Sequence, residues 1–255
     1  MAPHRRHAFT VIELLIVIAI MAILFSIGVP AIVKASNRAA EAKCMSNLRG
    51  TLQATAAYVS DNRQTFPGLG SNGTPYNQLR MINLYGKRGV YGGPGAVPTE
   101  DRPLFDYLNG ETSVAECPLD KGSSAAPPSI GTTNFEYFGS SYAYPDRLSY
   151  RYSYGRYDIW SIEGHKLTKV QQPSKKMVLS DLSFFTSGTA EQDQWHEPIN
   201  GAQAAALAFV DGHVAVTAAK TPIPTSTWSQ YLYGNGLTYK TAAQIETWAR
   251  LDPYY

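Results

Sequence analysis

The chain has 255 residues, a formal net charge of +2, 44% hydrophobic residues and two cysteines. That length allows a membrane-anchored helix with one or two small domains, and the near-neutral charge gives no sequence-wide basic footprint for nucleic acid, so no nucleic-acid partner is expected. Two thiols alone make neither a tetrahedral zinc site nor a C-x-x-C redox pair.

The first element is membrane-length. Arg5 and Arg6 precede Ala8-Phe9-Thr10-Val11-Ile12-Glu13, and an uncharged run follows from Leu14 to Val29. The thirteen Leu, Ile, Val and Phe residues between 11 and 29 each favour insertion by roughly 0.3 to 0.6 kcal/mol, which sums to about 4 to 8 kcal/mol. One acid opposes this by roughly 2.5 to 3.5 kcal/mol at the centre of a span and by less near its end. The segment therefore inserts despite Glu13, and a carboxylate kept at the mouth of such a span points to a purpose. Arg5 and Arg6 set the amino terminus in the cytoplasm by the positive-inside rule, with the remainder outside.

This pattern resembles the amino terminus of type IV prepilins and of type II secretion pseudopilins. The resemblance implies a leader peptide of residues 1–8, cleavage between Ala8 and Phe9 by a prepilin peptidase, N-methylation of Phe9, and an assembly role for Glu13 as the fifth mature residue. Ala8 stands where the family usually has Gly. Losing the leader with Arg5 and Arg6 leaves 20 basic and 20 acidic side chains. Two other readings of the segment compete: a secretory signal cut after Val29-Pro30-Ala31, for which the apolar core is long, and a plain single-span anchor, which leaves Glu13 without a role.

The helical pattern continues beyond the span. Apolar or small residues recur at Ile32, Ala35, Ala39, Ala42, Met45, Leu48, Leu52, Ala56 and Val59, at spacings of three and four. Lys34, Arg38, Glu41, Lys43 and Arg49 lie largely on the other face. One helix over 9–60 is expected, its transmembrane half covering 9–30 and its soluble half 31–60. Pro30 lacks an N–H, which predicts a kink or local melting near residues 26 to 30. Asp61-Asn62 and Phe66-Pro67-Gly68 end the helix and open an extracytoplasmic head over 61–255.

Within the head, residues 67 to 103 read as a long irregular Gly/Pro loop. Residues 137 to 160 hold seven tyrosines and Trp160, either a partner or carbohydrate surface or aromatics packed on strands, with packing favoured. Lys176–Asp181 reads as a strand. Leu207–Val210 and His213–Val216 read as a hairpin turning at Asp211-Gly212, with Phe209 opposite Val214 and Leu207 opposite Val216 on one buried face. Thr241-Ala242-Ala243-Gln244 resembles a capping box opening a short helix through Ile245, Trp248 and Leu251. Outside the cytoplasm, Cys44 and Cys117 are expected to form a disulfide, worth about 4 to 5 kcal/mol from loop closure; the alternative is two separate buried thiols.

The layout fits the same resemblance, which implies an α+β pilin-like fold: a long amino-terminal helix packed on an antiparallel β-sheet head. Cys44-Met45-Ser46-Asn47-Leu48-Arg49, Cys117-Pro118 and Phe209-Val210-Asp211-Gly212-His213-Val214 look like a pseudopilin-like subfamily named for a His nine residues ahead of an Asp-Gly pair. Here Gly201 holds that position, and His196 is the nearest upstream histidine. No cofactor is required. Major pseudopilins often hold calcium in a carboxyl-terminal loop, which raises Asp181, Asp193 and Asp211, near His196 and His213, as ligands. The competing reading, a turn role for Asp211 and solvation of the others, is favoured, since no D-x-D-x-D-G loop exists.

No G-x-S-x-G, H-E-x-x-H or phosphate-cradling loop is present, so a non-enzymatic subunit is expected. The resemblance implies a type II secretion pseudopilin in the cytoplasmic membrane, partnered by like subunits in a filament and by an inner-membrane assembly platform. A type IV pilus subunit with an adhesive tyrosine-rich head, and an extracytoplasmic enzyme on an anchor, are the alternatives.

Overall fold

The computed structural model describes residues 10–69, 82–90, 97–122, 133–144, 162–170, 172–185 and 193–218. The chain divides into two compact units, Met1–Ala40 and Glu41–Tyr255.

Helix α1 spans Val11–Asp61. In the first unit its large apolar side chains, from Val11 to Val33, are all exposed. They cannot form a core there, and the helix is long and apolar enough to cross a membrane. The local melting expected at residues 26 to 30 does not occur: α1 runs unbroken through Pro30. Proline removes a single donor, and the flanking turns hold the backbone. Ser26 Oγ donates back to the Ile23 carbonyl at 2.7 Å.

In the second unit, the segment of α1 from Glu41 buries Cys44, Asn47, Leu48, Thr51, Leu52, Thr55 and Val59. This face is rotated from the one the apolar count predicted, since Ala42 and Ala56 are exposed. The count missed it because threonine and asparagine read as polar. Thr51 and Thr55 return their hydroxyls to the carbonyls four residues back, at 3.0 and 2.8 Å, and Asn47 Nδ2 donates to the Glu116 carbonyl. So satisfied, these side chains pack without the penalty of an unpaired polar group. The helix ends where expected. Asn62 and Gln64 amides donate to the Tyr58 and Val59 carbonyls, with Arg63 and Gln64 at positive φ.

That segment of α1 packs in one core with a four-stranded antiparallel sheet, ordered β1 (Tyr142–Ala143), β2 (Met177–Asp181), β3 (Ala204–Phe209) and β4 (Val214–Ala218). Strands β2 and β3 are buried throughout and β4 is half-buried. The β3–β4 register differs from the expected one. Ala208 opposes Val214 and Leu207 opposes Ala215. The Phe209 amide donates to the His213 carbonyl and the Gly212 amide to the Phe209 carbonyl. The loop is therefore Val210-Asp211-Gly212, three residues rather than two, with Gly212 at φ 94°. A type I turn closed by a left-handed glycine is the standard three-residue hairpin. The one-residue slip moves Val214 and Val216 to the face of Ala206 and Ala208, and puts His213 on Phe209. Those two rings stack with centroids 4.2 Å apart.

Short α2 (Asn134–Phe138) is capped by Thr133 and anchored by Asp120. The buried Asp120 carboxylate accepts from the Gly122, Asn134 and Phe135 amides, from Asn134 Nδ2 and from Ser141 Oγ. Burial still outweighs these bonds and raises its pKa. The long loop keeps turns and short 3-10 segments where it is described. Of the tyrosine-rich stretch, Tyr137, Tyr142 and Tyr144 are buried; Tyr142 and Tyr144 donate to the Cys44 and Pro67 carbonyls. The rest of that stretch, and the helix expected after Thr241, lie outside the described residues.

Candidate functional site

Two sets of residues carry the chemistry, one in each unit. At the amino end, Ala8 and Phe9 lie outside the described residues. Glu13 stands in the first turn of α1, and its Oε2 accepts from both the Thr10 amide and the Thr10 hydroxyl at 2.8 Å. The Glu13 amide donates to Thr10 Oγ at 3.3 Å. This is a capping box, in which N-cap threonine and N3 glutamate satisfy each other's orphan donors. Thr10-Val11-Ile12-Glu13 spells it in the sequence, a threonine three residues ahead of a glutamate. Glu13 thus has a local partner before any neighbouring chain arrives.

The second set is the centre of the head. Cys44, on α1, and Cys117 form a disulfide with Cα atoms 4.9 Å apart, closing a separation of 73 residues. Beside it lies His196, its side chain fully buried. Its Nε2 is 2.8 Å from Asp181 Oδ2 and its Nδ1 is 3.4 Å from Glu41 Oε2. The Asp181 contact lacks the alignment of a hydrogen bond and is an ion pair when the imidazole is protonated. Burial pulls the His196 pKa down, but pairing with Asp181 and Glu41 outweighs it, and the value is raised. Asp181 closes β2, and its Oδ2 also accepts from the Ala206 amide at 2.6 Å. Its Oδ1 is buried without a hydrogen-bond donor. Glu41 was expected on the solvent face. No sequence signal marks it as a partner of a histidine 155 residues away.

The acids raised as calcium ligands do not converge. Asp181 lies at the carboxyl end of β2. Asp211 lies past the other end of that strand, where the Asp211 and Val210 amides donate to the Pro173 and Lys176 carbonyls. Asp211 is committed to its own turn, with Oδ1 2.6 Å from His213 Nδ1 and 3.1 Å from the His213 amide. Slight burial raises the Asp211 pKa, but these bonds outweigh it and hold the value low. Asp193 is buried, and its carbonyl accepts from Gln203. Calcium needs six to eight oxygens around one point, and among the described residues these three acids do not supply that point. A groove of about 230 Å³ lies between the end of α1 and the sheet, lined by Leu52, Val59, Phe66, Leu167, Val178 and Val210 among others. Among the described residues its lining has no titratable side chain.

The class these features define is an α+β protein with one amino-terminal apolar helix suited to a single membrane span. Residues 3–29 match the family described as the prokaryotic N-terminal methylation motif. That match supports a type IV prepilin-like family and a pilin-like subunit, and implies processing by a prepilin peptidase and assembly with pilin-like subunits. No curated protein and no solved structure matches the chain.

Proposed function

We propose that this pilin-like subunit is a pseudopilin of a type II secretion-like system, cut after Ala8, methylated on Phe9, and assembled by pairing Glu13 with the Phe9 amine of a neighbouring subunit. The observation that carries this is a carboxylate at the mouth of a helical stretch, Val11 to Val33, that is otherwise uncharged and whose large apolar side chains are all exposed. In lipid an unpaired carboxylate is unfavourable, and a neighbour's ammonium relieves that cost while setting the axial register between subunits. In the lone chain Thr10 holds the carboxylate by neutral hydrogen bonds. A charged partner is the stronger one and takes it over on assembly. Tyr137, Tyr142 and Tyr144 are buried and serve the core rather than an adhesive surface.

The capping box makes the test sharper. Glu13→Gln keeps a box-forming side chain and loses the charge, whereas Glu13→Ala loses both. Both variants should insert at least as readily as the wild type and still be processed at Ala8. Both should give little or no sheared filament relative to the membrane pool. Normal filament yield from Glu13→Gln would leave capping as the whole role of Glu13 and sink the electrostatic mechanism. Intact mass of the membrane-derived protein should show a start at Phe9 plus one methyl group; a start at Ile32 would instead mean a secretory signal.

A further inference from the structure

His196 sits between two carboxylates that come from different elements. Its buried ring presents Nε2 to Asp181 Oδ2 at 2.8 Å, at the end of β2, and Nδ1 to Glu41 Oε2 at 3.4 Å, on α1. The sulfurs of the Cys44–Cys117 disulfide lie within 4.8 Å of a ring nitrogen, and a disulfide does not titrate. Near Asp181 stand the phenols of Tyr85 and Tyr142, whose pKa values are raised first by burial and further by the Asp181 charge, so they stay neutral. On the ring's own segment Asp193 is buried and Glu197 exposed, and Lys121 Nζ reaches the Gln194 carbonyl.

A neutral imidazole carries one N–H and one lone pair, and only the imidazolium carries an N–H on both nitrogens. With a carboxylate facing each nitrogen, the charged ring suits both, whereas the neutral ring must turn a lone pair toward one of them. The two sides are unequal. Asp181 is fully buried and its Oδ1 has no donor, so it has no route to water. The Glu41 side chain is 34% exposed and can turn to solvent. The neutral ring therefore keeps its N–H on Nε2, and Glu41 is the partner released. Glu41 opens the part of α1 that belongs to the head.

We propose that His196 is a proton-operated tie within the head: protonated, it holds the Glu41 turn of α1 to the 193–199 segment, and on losing its proton it lets Glu41 go. Burial lowers the His196 pKa, but Asp181 and Glu41 raise it by more, so release falls above the ordinary histidine value of 6.5. The folded head then holds this proton more tightly than the unfolded chain does. The stability it contributes is complete below 6.5 and is lost as pH rises through the folded midpoint. Other ties of the segment do not depend on this proton. Trp195 Nε1 donates to the Gly122 carbonyl, and Gln203 Nε2 donates to the Asp193 carbonyl. The head therefore stays folded and the change is local. The tie lies in the head alone and does not rest on the secretion reading.

The test uses the full chain in detergent with its disulfide intact. Imidazole nitrogen NMR follows the protonation of His196, assigned by the signal lost in His196→Gln. Hydrogen exchange, corrected for intrinsic rates, follows the protection of residues 193–199. In the wild type His196 should titrate above 6.5, keep its remaining proton on Nε2, and lose protection over 193–199 with the same midpoint. Glu41→Gln changes a partly exposed side chain, so the head should stay folded. Its amide can accept from an N–H or donate to a lone pair and so meets either form of the ring. In that variant the midpoint should shift down and protection should stay level across it. A wild-type midpoint at or below 6.5, a remaining proton on Nδ1, or protection that does not change as His196 titrates would each overturn the proposal. So would an undiminished loss of protection in Glu41→Gln.

Discussion

Glu13 and Asp181 are both carboxylates set among apolar side chains, and their partners come from different distances along the chain. Glu13 is satisfied by Thr10, three residues away, within a single helical turn. Asp181 Oδ2 accepts from the Ala206 amide and faces the His196 ring, and that ring is in turn paired with Glu41, 155 positions distant. The first arrangement needs only a helix. The second exists only when β2, β3, the 193–199 segment and α1 have all come together. Local chemistry therefore survives loss of the tertiary fold, and the buried centre does not.

The largest separation of the two regions should come from the disulfide. Replacing Cys44 and Cys117 by serine is expected to destabilise the head by about 4 to 5 kcal/mol, lowering its melting temperature by several degrees or more. Near-ultraviolet circular dichroism of Trp195 and the buried tyrosines reports that melting. Far-ultraviolet helix signal from the membrane segment should outlast it. Simultaneous loss of both signals would show that the two regions do not differ in this way.

Asp181→Ala comes next. It strands the His196 imidazole and the Ala206 amide, and breaking a buried pair by removing one partner costs about 3 to 5 kcal/mol. Denaturant unfolding of the head measures it. Asp181→Asn, which keeps an acceptor for Ala206, should cost less, and an equal loss for both variants would place the effect in packing rather than in the pairing.

Lys176 gives a smaller, pH-dependent effect. Burial depresses its pKa from 10.5 to about 8, so between those values the unfolded chain holds more protons than the folded one. Stability should therefore rise as pH increases from about 8 to 10.5. In Lys176→Met that contribution should be missing from the difference between the two chains' stability curves. Parallel curves across the window would remove Lys176 as its source.

Thr10→Ala should have the smallest effect, because it touches only the local arrangement. Loss of the N-cap costs about 1 kcal/mol, visible as faster amide exchange in the first turn of α1. The melting temperature of the head should not move, and a shift there would break the contrast between the two regions.

Much of this was legible in the sequence, for reasons that differ by element. Residues 11 to 29 declared themselves because sixteen uncharged positions from Leu14 leave a bilayer as their only good solvent. Strand β2 and the turn at Asp211-Gly212 were equally plain, being read from neighbours. The hairpin register was not, since two- and three-residue loops both accept that dipeptide, and hydrogen bonds beyond the loop choose between them. The buried face of α1 was misplaced because Thr51 and Thr55 satisfy their hydroxyls on the helix itself, which a count of apolar residues does not see.

By itself the sequence determined the apolar span and the capping box, which rest on contacts within a few residues or on bulk solvation. Tertiary structure alone decided that Glu41 and His196 meet beside the Cys44–Cys117 bridge, that Asp181 supports them, and that Asp211 lies away from Asp181. Those placements depend on strand pairing and on the rotation of α1 against the sheet. Both are fixed by the sum of many small packing energies rather than by any local preference.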